Sequence, residues 1–355
     1  MPKKRKTLPK DFESLLENSS VEELIRLFDS VEIEARGGYS KQTALGFEKC
    51  PHELAKWLIE NGCGMESANE YGYTPLQQRS MRYHSNIKSL LELGADIHVN
   101  NRHGTPLHCA IQNHNAENVK MLIEFGANTD LESAYGYGKD NLYTPLELNL
   151  VSCRNIDIQN TLEISKILLN AGANNTYRTK GFVLEIGKTF EFYRSKFNDE
   201  SVDETSAALH ELYRLFDVEP VATRVLYDGK SQISVDSKTW QKQHQELWEL
   251  LVPGSGSANT VQGEVIRITG KIARELLDNG AVNWDSDYKK MTNAFVQYVQ
   301  RGKALATSEL DKVKIVAVEV NARNDENVYT LSELAVKWVL LNPDPIALDA
   351  VGYDR

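Results

Sequence analysis

The chain has 355 residues, 41% of them hydrophobic and 25% charged, with a formal net charge of −10. That length predicts two domains, or a repeat array followed by a domain, and the composition is that of an ordinary globular chain. No apolar run approaches the roughly 20 residues of a membrane helix, and the acidic balance argues against a nucleic-acid binder, which carries a basic stripe.

Pro2-Lys3-Lys4-Arg5-Lys6 is a short basic run that resembles a nuclear-import signal; its simpler reading is a solvated, frayed terminus. No apolar core follows it, which argues against a secretory signal. Cys50, Cys63, Cys109 and Cys153 form no CxxC pair, and no histidine cluster has zinc spacing. Reduced thiols, a cytoplasmic location, and neither metal nor cofactor are therefore expected.

Phe12 to Leu16 and Val21 to Phe28 read as a helix pair, followed by Glu32-Ile33-Glu34-Ala35-Arg36. Glu17, Glu22 and Glu23 would face water, as an end cap on a repeat array requires. Internal repetition then takes over. Thr43, Thr74, Thr105 and Thr144 are anchors spaced 31, 31 and 39 residues apart, and Gly62, Gly94, Gly126 and Gly172 close the four copies. Proline after three of these threonines suits a first helical turn, where its missing N–H costs nothing, and the threonine can cap the turn. The following leucine and a later Leu-Leu or Leu-Ile pair make the apolar stripe that stacks on neighbours, and each glycine supplies a left-handed stop.

Thr105-Pro106-Leu107-His108-Cys109-Ala110 matches the signature T-P-L-H-x-A, and the chain from about residue 10 to 178 resembles an ankyrin repeat array, a cap plus four repeats. The resemblance implies a helix-turn-helix solenoid with β-hairpin tips that binds another protein. By position, it implies contacts from Glu70, Tyr71 and Tyr73, from Asn101, Arg102 and His103, and from Tyr135, Tyr137, Lys139, Asp140 and Tyr143. Met81, Arg82, Gln112 and Asn113 would add inner-helix ends. Tyrosines, Tyr39 and Tyr83 among them, crowd these tips, and tyrosine is enriched at binding hot spots; alternatively Tyr73 and Tyr143 only pack on the adjacent hairpin. His108 is expected to be structural. The fourth copy is long, with extra residues around Ser152 to Gln159 lengthening the turn between its helices.

Residues 179–204 read as a connector. Gly187-Lys188-Thr189 is no P-loop, because Phe182 stands where that motif needs glycine. From 205 to 355 the pattern predicts a compact α+β domain: a helix from Thr205 to Asp217, a hairpin turning at Asp228-Gly229, helices at Trp240–Leu251, Ser286–Gln300 and Thr330–Leu341, and a strand at Lys312–Val320. Between them, Val261, Val265, Ile268, Ile272 and Leu276 trace one helix face. Glu264, Arg267, Lys271 and Glu275 fall opposite as paired charges, Asn259 with Gln262 resembles a capping box, and Asn279-Gly280 reads as the stop. This stretch resembles a short segment of uncharacterised bacterial proteins that carries no known chemistry.

A binding module without catalysis is therefore the expected function, with a protein partner and neither nucleic acid nor membrane. Two alternatives remain. One is a hydrolase or transferase site in the C-terminal domain, converging Glu264, His244 and Asn283. The other, by analogy, is an immunity-type protein that neutralises a toxin. Gln262-Gly263-Glu264 is the one place in the back half where a close-approaching ligand is expected, because glycine is a poor helix former.

Overall fold

The computed structural model of the chain describes residues 3–134, 141–197 and 199–355, the side chains of Asp199 and Glu200 aside. It divides into two compact units, Met1–Phe190 with Asp199–Val221, and Glu191–Asn198 with Ala222–Arg355. Among the described residues no helix is long and apolar enough to cross a membrane.

The first unit opens on β1 (Arg5–Thr7), which runs parallel to β2 (Val31–Arg36), with Arg5 opposite Val31 and Thr7 opposite Arg36. Lys4 Nζ donates to the Phe28 carbonyl at 2.6 Å. The described part of the basic run, residues 3–6, expected to be frayed, is thus tied into the cap. Between the strands lie α1 (Phe12–Asn18) and α2 (Val21–Leu27), the predicted helix pair.

The repeats follow as helix pairs: α4 (Pro75–Ser80) with α5 (Ile87–Glu92), α6 (Pro106–Gln112) with α7 (Ala116–Glu124), and α8 (Pro145–Val151) with α9 (Ile158–Asn170). The looser first copy makes a single 3-10 turn at Ala44–Gly46 before α3 (His52–Glu60). Thr74, Thr105 and Thr144 each accept the amide of the residue three on, and that residue's side chain returns the bond, closing three capping boxes. The closing Gly62, Gly94, Gly126 and Gly172 all sit at φ between 90° and 94°, where a side chain would be strained. In the fourth copy the extra residues divide between a 3-10 turn, Asn155–Asp157, and an α9 of 13 residues. Two-residue strands, β3 (Ser133–Ala134) and β4 (Leu142–Tyr143), pair antiparallel at its tip.

The capping partner also ties each repeat to the next. Gln77 Nε2 donates to the Gly104 carbonyl at 2.6 Å. His108 Nε2 lies 3.2 Å from the Tyr143 carbonyl, and Glu147 accepts from Thr176 at 2.7 Å and Arg178 at 3.0 Å. His108 is structural, as expected; burial pushes its pKa down to about 4, so it stays neutral. Two positions after it, where the signature has alanine, Ala110 is joined by Arg79 and Asn149 in the neighbouring copies, all three buried. Arg79 is accommodated because Nε donates to the Leu45 carbonyl and Nη1 to the Asn86 carbonyl, both at 2.8 Å.

The stretch expected as a connector, 179–204, is largely helical. Residues Tyr177–Tyr193 form α10, and α11 (Asp199–Phe216) begins before the predicted Thr205 and packs on α9. Gly187 lets them close up, since any Cβ there would overlap the Tyr213 ring.

The second unit is a cluster of five helices: α12 (Trp240–Leu251), α13 (Val261–Ala273), α14 (Ser286–Tyr298), α15 (Thr307–Asn321) and α16 (Val328–Leu341). A π-helical turn, Arg274–Asp278, extends α13. Helix α13 is the hub, packed by α12, α14 and α16. Every residue from Val261 to Thr269 is buried. The core around it includes Leu247, Ile268, Phe295 and Trp338.

Two elements of the expected α+β domain are corrected. Lys312–Val320 is helical, inside α15: Val313, Val316, Ala317 and Val320 are buried at helical spacing, while Val318 is 71% exposed. Its β-branched residues suggest a strand, but packing against α14 and α16 decides the conformation. The hairpin at Asp228-Gly229 does not form. Asp228 caps its own turn by accepting the amides of Lys230 and Ser231, Val225 is 83% exposed, and the Ile233 amide instead reaches the Pro343 carbonyl at 2.8 Å. Among the described residues the second unit has no strand pair, only an isolated bridge between Thr260 and Ala347.

Candidate partner-binding face

The tips of the array are built by asparagines. Asn69 is buried, its Oδ1 accepts the amides of Tyr71 and Tyr73 at 3.0 and 3.1 Å, and its Nδ2 donates to Gln78 at 2.9 Å. One repeat on, Asn101 Oδ1 accepts the His103 amide at 2.9 Å, and its Nδ2 reaches back to the Gly72 carbonyl at 3.1 Å. Such side-chain mimics of a turn need asparagine at the first tip position. The Tyr71 carbonyl also accepts from Arg102, and His103 Nε2 lies 2.7 Å from it.

These tips hold a row of rings. Tyr39 and Tyr71 stack with centroids 6.2 Å apart, and they are 90% and 41% exposed. A hydrogen bond with Tyr39 pushes the Tyr71 hydroxyl pKa up. Tyr73 lies flat on His103, 3.7 Å between centroids.

Beside them is a cavity of about 450 Å³ lined by Tyr39, Tyr71, Tyr73, Phe47, Gln78 and Arg82, with Glu13, Glu17 and Lys49 coming from the cap and first repeat. Lys49 pairs with Glu17, and that bond above all, with Glu48 and Glu13 adding to it, raises its pKa. Arg82 lies 3.5 Å from Glu48. The lining therefore combines aromatic faces with carboxylates that are only partly neutralised. Its chemistry suits a segment that presents both apolar and cationic groups.

The structure gathers some of the candidate residues and separates others. Tyr71, Tyr73 and Arg82 line the cavity, and Glu70 pairs with Lys41 at 2.9 Å. Met81, at the end of α4, is half-buried. Asn101, Arg102 and His103 form the next tip, with Arg102 exposed. Gln112 and Asn113 end α6 half-buried, and the Asn113 carbonyl accepts from the Tyr83 hydroxyl at 2.9 Å. Tyr143 packs towards Phe182 at 6.0 Å, with the Arg178 guanidinium 4.8 Å over its ring. Tyr73 and Tyr143 thus each pack on the next tip or helix along the array. Tyr135, Tyr137, Lys139 and Asp140 lie outside the described residues. Glu13, Glu17, Phe47 and Lys49 were not legible as candidates, because their place depends on how the cap stacks on the first repeat.

In the second unit, Gln262, Gly263 and Glu264 are fully buried, and the chain itself supplies the close approach anticipated there. A Cβ on Gly263 would lie 2.8 Å from Ala258 Cβ and 3.0 Å from the Leu251 carbonyl. Thr260, not Asn259, caps α13, accepting the Gly263 amide at 3.2 Å. Gln262 is freed to staple the last segment, donating to the carbonyls of Asn342 and Asp344 and accepting the Ile346 amide.

Glu264 and Arg267, expected opposite the apolar face as an i,i+3 pair, do pair, but buried. Glu264 accepts from Arg267 at 2.7 and 2.8 Å, from the Ala258 amide at 2.9 Å and from the Tyr353 hydroxyl at 2.7 Å. The convergence with His244 and Asn283 that the enzyme alternative would need is not seen, each of the two being hydrogen-bonded to another residue. His244 Nε2 lies 3.0 Å from Thr269 Oγ1, and the Asn283 side chain bonds to Glu275. Among the described residues, no group of three or more histidine, cysteine or acidic side chains is placed to hold a metal ion.

Comparison with family models matches ankyrin repeats, as a set of three copies, over residues 43–133 and again over 87–180. Residues 43–180 are therefore ankyrin repeats. Comparison with curated proteins gives no match.

Proposed function

We propose, from the premise of an N-terminal ankyrin array, that the protein is an interaction module whose first unit grips a protein partner through the tyrosine face. Ankyrin repeats are generally protein-binding modules. The observation that carries the specific reading is the 450 Å³ cavity walled by the stacked, exposed Tyr39 and Tyr71. Exposed aromatic rings deliver contact area at little entropic cost, and surface patches of this kind mark interaction sites. The carboxylates of Glu13, Glu17 and Glu48 around the rings favour a partner segment bearing arginine or lysine, held by ion pairing and by cation–π contact.

The test is site-specific photocrosslinking in cells. A photoreactive side chain in place of Tyr71 should capture a discrete partner, and one in place of Lys120, an exposed residue of α7, should not. Capture at 120 without capture at 71 would put the interface elsewhere and overturn this assignment.

A further inference from the structure

A second cavity, of about 480 Å³, lies wholly within the second unit, and its volume suits a small organic ligand. Its walls are aromatic. Trp248 stacks with Phe192, centroids 6.2 Å apart and planes 12° from parallel, and Trp240 lies 6.3 Å from Tyr329. Gly270 is what lets Trp248 settle on α13: a Cβ there would lie 2.4 Å from the indole. Glycine weakens a helix interior, so the ring's placement is the gain set against that loss.

The same helix face brings positive charge. Arg267, Lys271 and Arg274 recur at helical spacing and all line the cavity, whereas Asp278 is the single carboxylate among its described lining residues. Glu264 already neutralises Arg267. Lys271 is half-buried and Arg274 exposed, and among the described residues no hydrogen bond or ion pair engages the amine or the Arg274 guanidinium. Burial, and next the charge of Arg267, push the Lys271 pKa down against the opposing pull of Glu264, so the neighbouring cations outweigh that carboxylate. His244, held near pKa 4 by burial, contributes no charge at neutral pH. The π-helical turn at Arg274–Asp278 sets Arg274, Leu277 and Asp278 against the cavity, and such turns recur at functional sites.

We propose that this cavity binds a small phosphorylated aromatic molecule of mononucleotide size, its ring on the tryptophan wall and its phosphate on Lys271 and Arg274. Ring and phosphate are both required: flat indole faces stack on a planar ring, and two cations outside any ion pair match a phosphate dianion. The inference is independent of the partner-binding face on the first unit.

The test titrates the full-length chain with AMP, GMP, CMP and UMP, following tryptophan fluorescence and heat of binding. Adenosine and ribose 5-phosphate serve as the ring and the phosphate alone. At least one monophosphate should saturate the site, with both fragments weaker by roughly ten-fold or more. Lys271→Ala with Arg274→Ala should weaken the monophosphate by a similar factor and leave adenosine unchanged. Trp240→Ala should weaken both, with circular dichroism confirming that each variant is folded. The proposal is overturned if no monophosphate binds at millimolar concentration. It is equally overturned if the double variant binds as tightly as the parent, or if only a single-stranded oligonucleotide binds.

Discussion

Replacing Glu264 with alanine removes the acceptor of two guanidinium N–H groups, one amide and one phenol at once. Arg267 is then left with its side chain 2% exposed and its charge unpaired. Breaking a buried pair in this way costs about 3–5 kcal/mol. With a urea dependence near 2 kcal/mol per molar, the midpoint of the second unit should fall by about 1.5–2.5 M. Trp240, Trp248, Trp284 and Trp338 lie in that unit and only Trp57 in the other, so tryptophan fluorescence reads the second unit while circular dichroism follows both. Glu264→Met with Arg267→Met should recover most of the loss, because no charge is then stranded. Removing the exposed Asp311–Lys314 pair should cost about 0.5 kcal/mol. A midpoint shift below about 0.5 M for Glu264→Ala, or a double variant no more stable than the single, would refute the reasoning; Glu264 would then be free for some other task.

Other expectations rest on single contacts. Folded His108 has a pKa near 4, against about 6.5 when unfolded. Below about pH 6.5 the unfolded chain takes up a proton that the folded chain refuses, so His108 erodes stability as pH falls from 6.5 through 4, by about 1–3 kcal/mol. His108→Gln, which copies Gln77 one repeat earlier, should flatten that slope in urea midpoints compared at pH 7 and 4.5; an unchanged slope would contradict the assignment. Gly270→Ala drives a methyl group into Trp248 and should cost about 1–3 kcal/mol with a changed near-ultraviolet dichroism, and an unaltered spectrum would mean that the indole does not lie on the helix. Tyr39→Ala with Tyr71→Ala should weaken partner binding by about 2 kcal/mol or more while stability stays within about 0.5 kcal/mol. A marked loss of stability would make these rings part of the scaffold instead.

The array was legible because each of its features is local. A threonine before a proline caps a first turn, and a glycine in the left-handed region ends a second helix. Both requirements act within a few residues, so they survive as a spacing along the chain. The tips were legible for the same reason, since Asn69 and Asn101 shape their turns through their own side chains. The cavity beside them was only half visible. Tyr71, Tyr73 and Arg82 come from repeat positions, but Glu13, Glu17 and Lys49 reach it through the stacking of a cap whose sequence carries no signature.

In the second unit, periodicity predicted helices at 240–251, 286–300 and 330–341, which form at 240–251, 286–298 and 328–341, but mistook α15 for a strand. A run of valines and isoleucines can follow either period, and only the neighbouring helices choose between them. The Val261–Ala273 helix marks the same limit. Its apolar face was apparent in the sequence, and so was a set of charges with innocuous i,i+3 and i,i+4 partners. Whether those charges meet water or protein is settled by what packs on the second face. Here Gln262, Glu264 and Arg267 turn inward to residues about 80 to 90 positions further along the chain. By itself, then, the sequence determined the repeats, their caps and their tips, because short-range backbone requirements leave a periodic trace. Tertiary structure alone decided the cavities and the buried ion pair, because burial is a property of neighbours that the chain brings together only on folding.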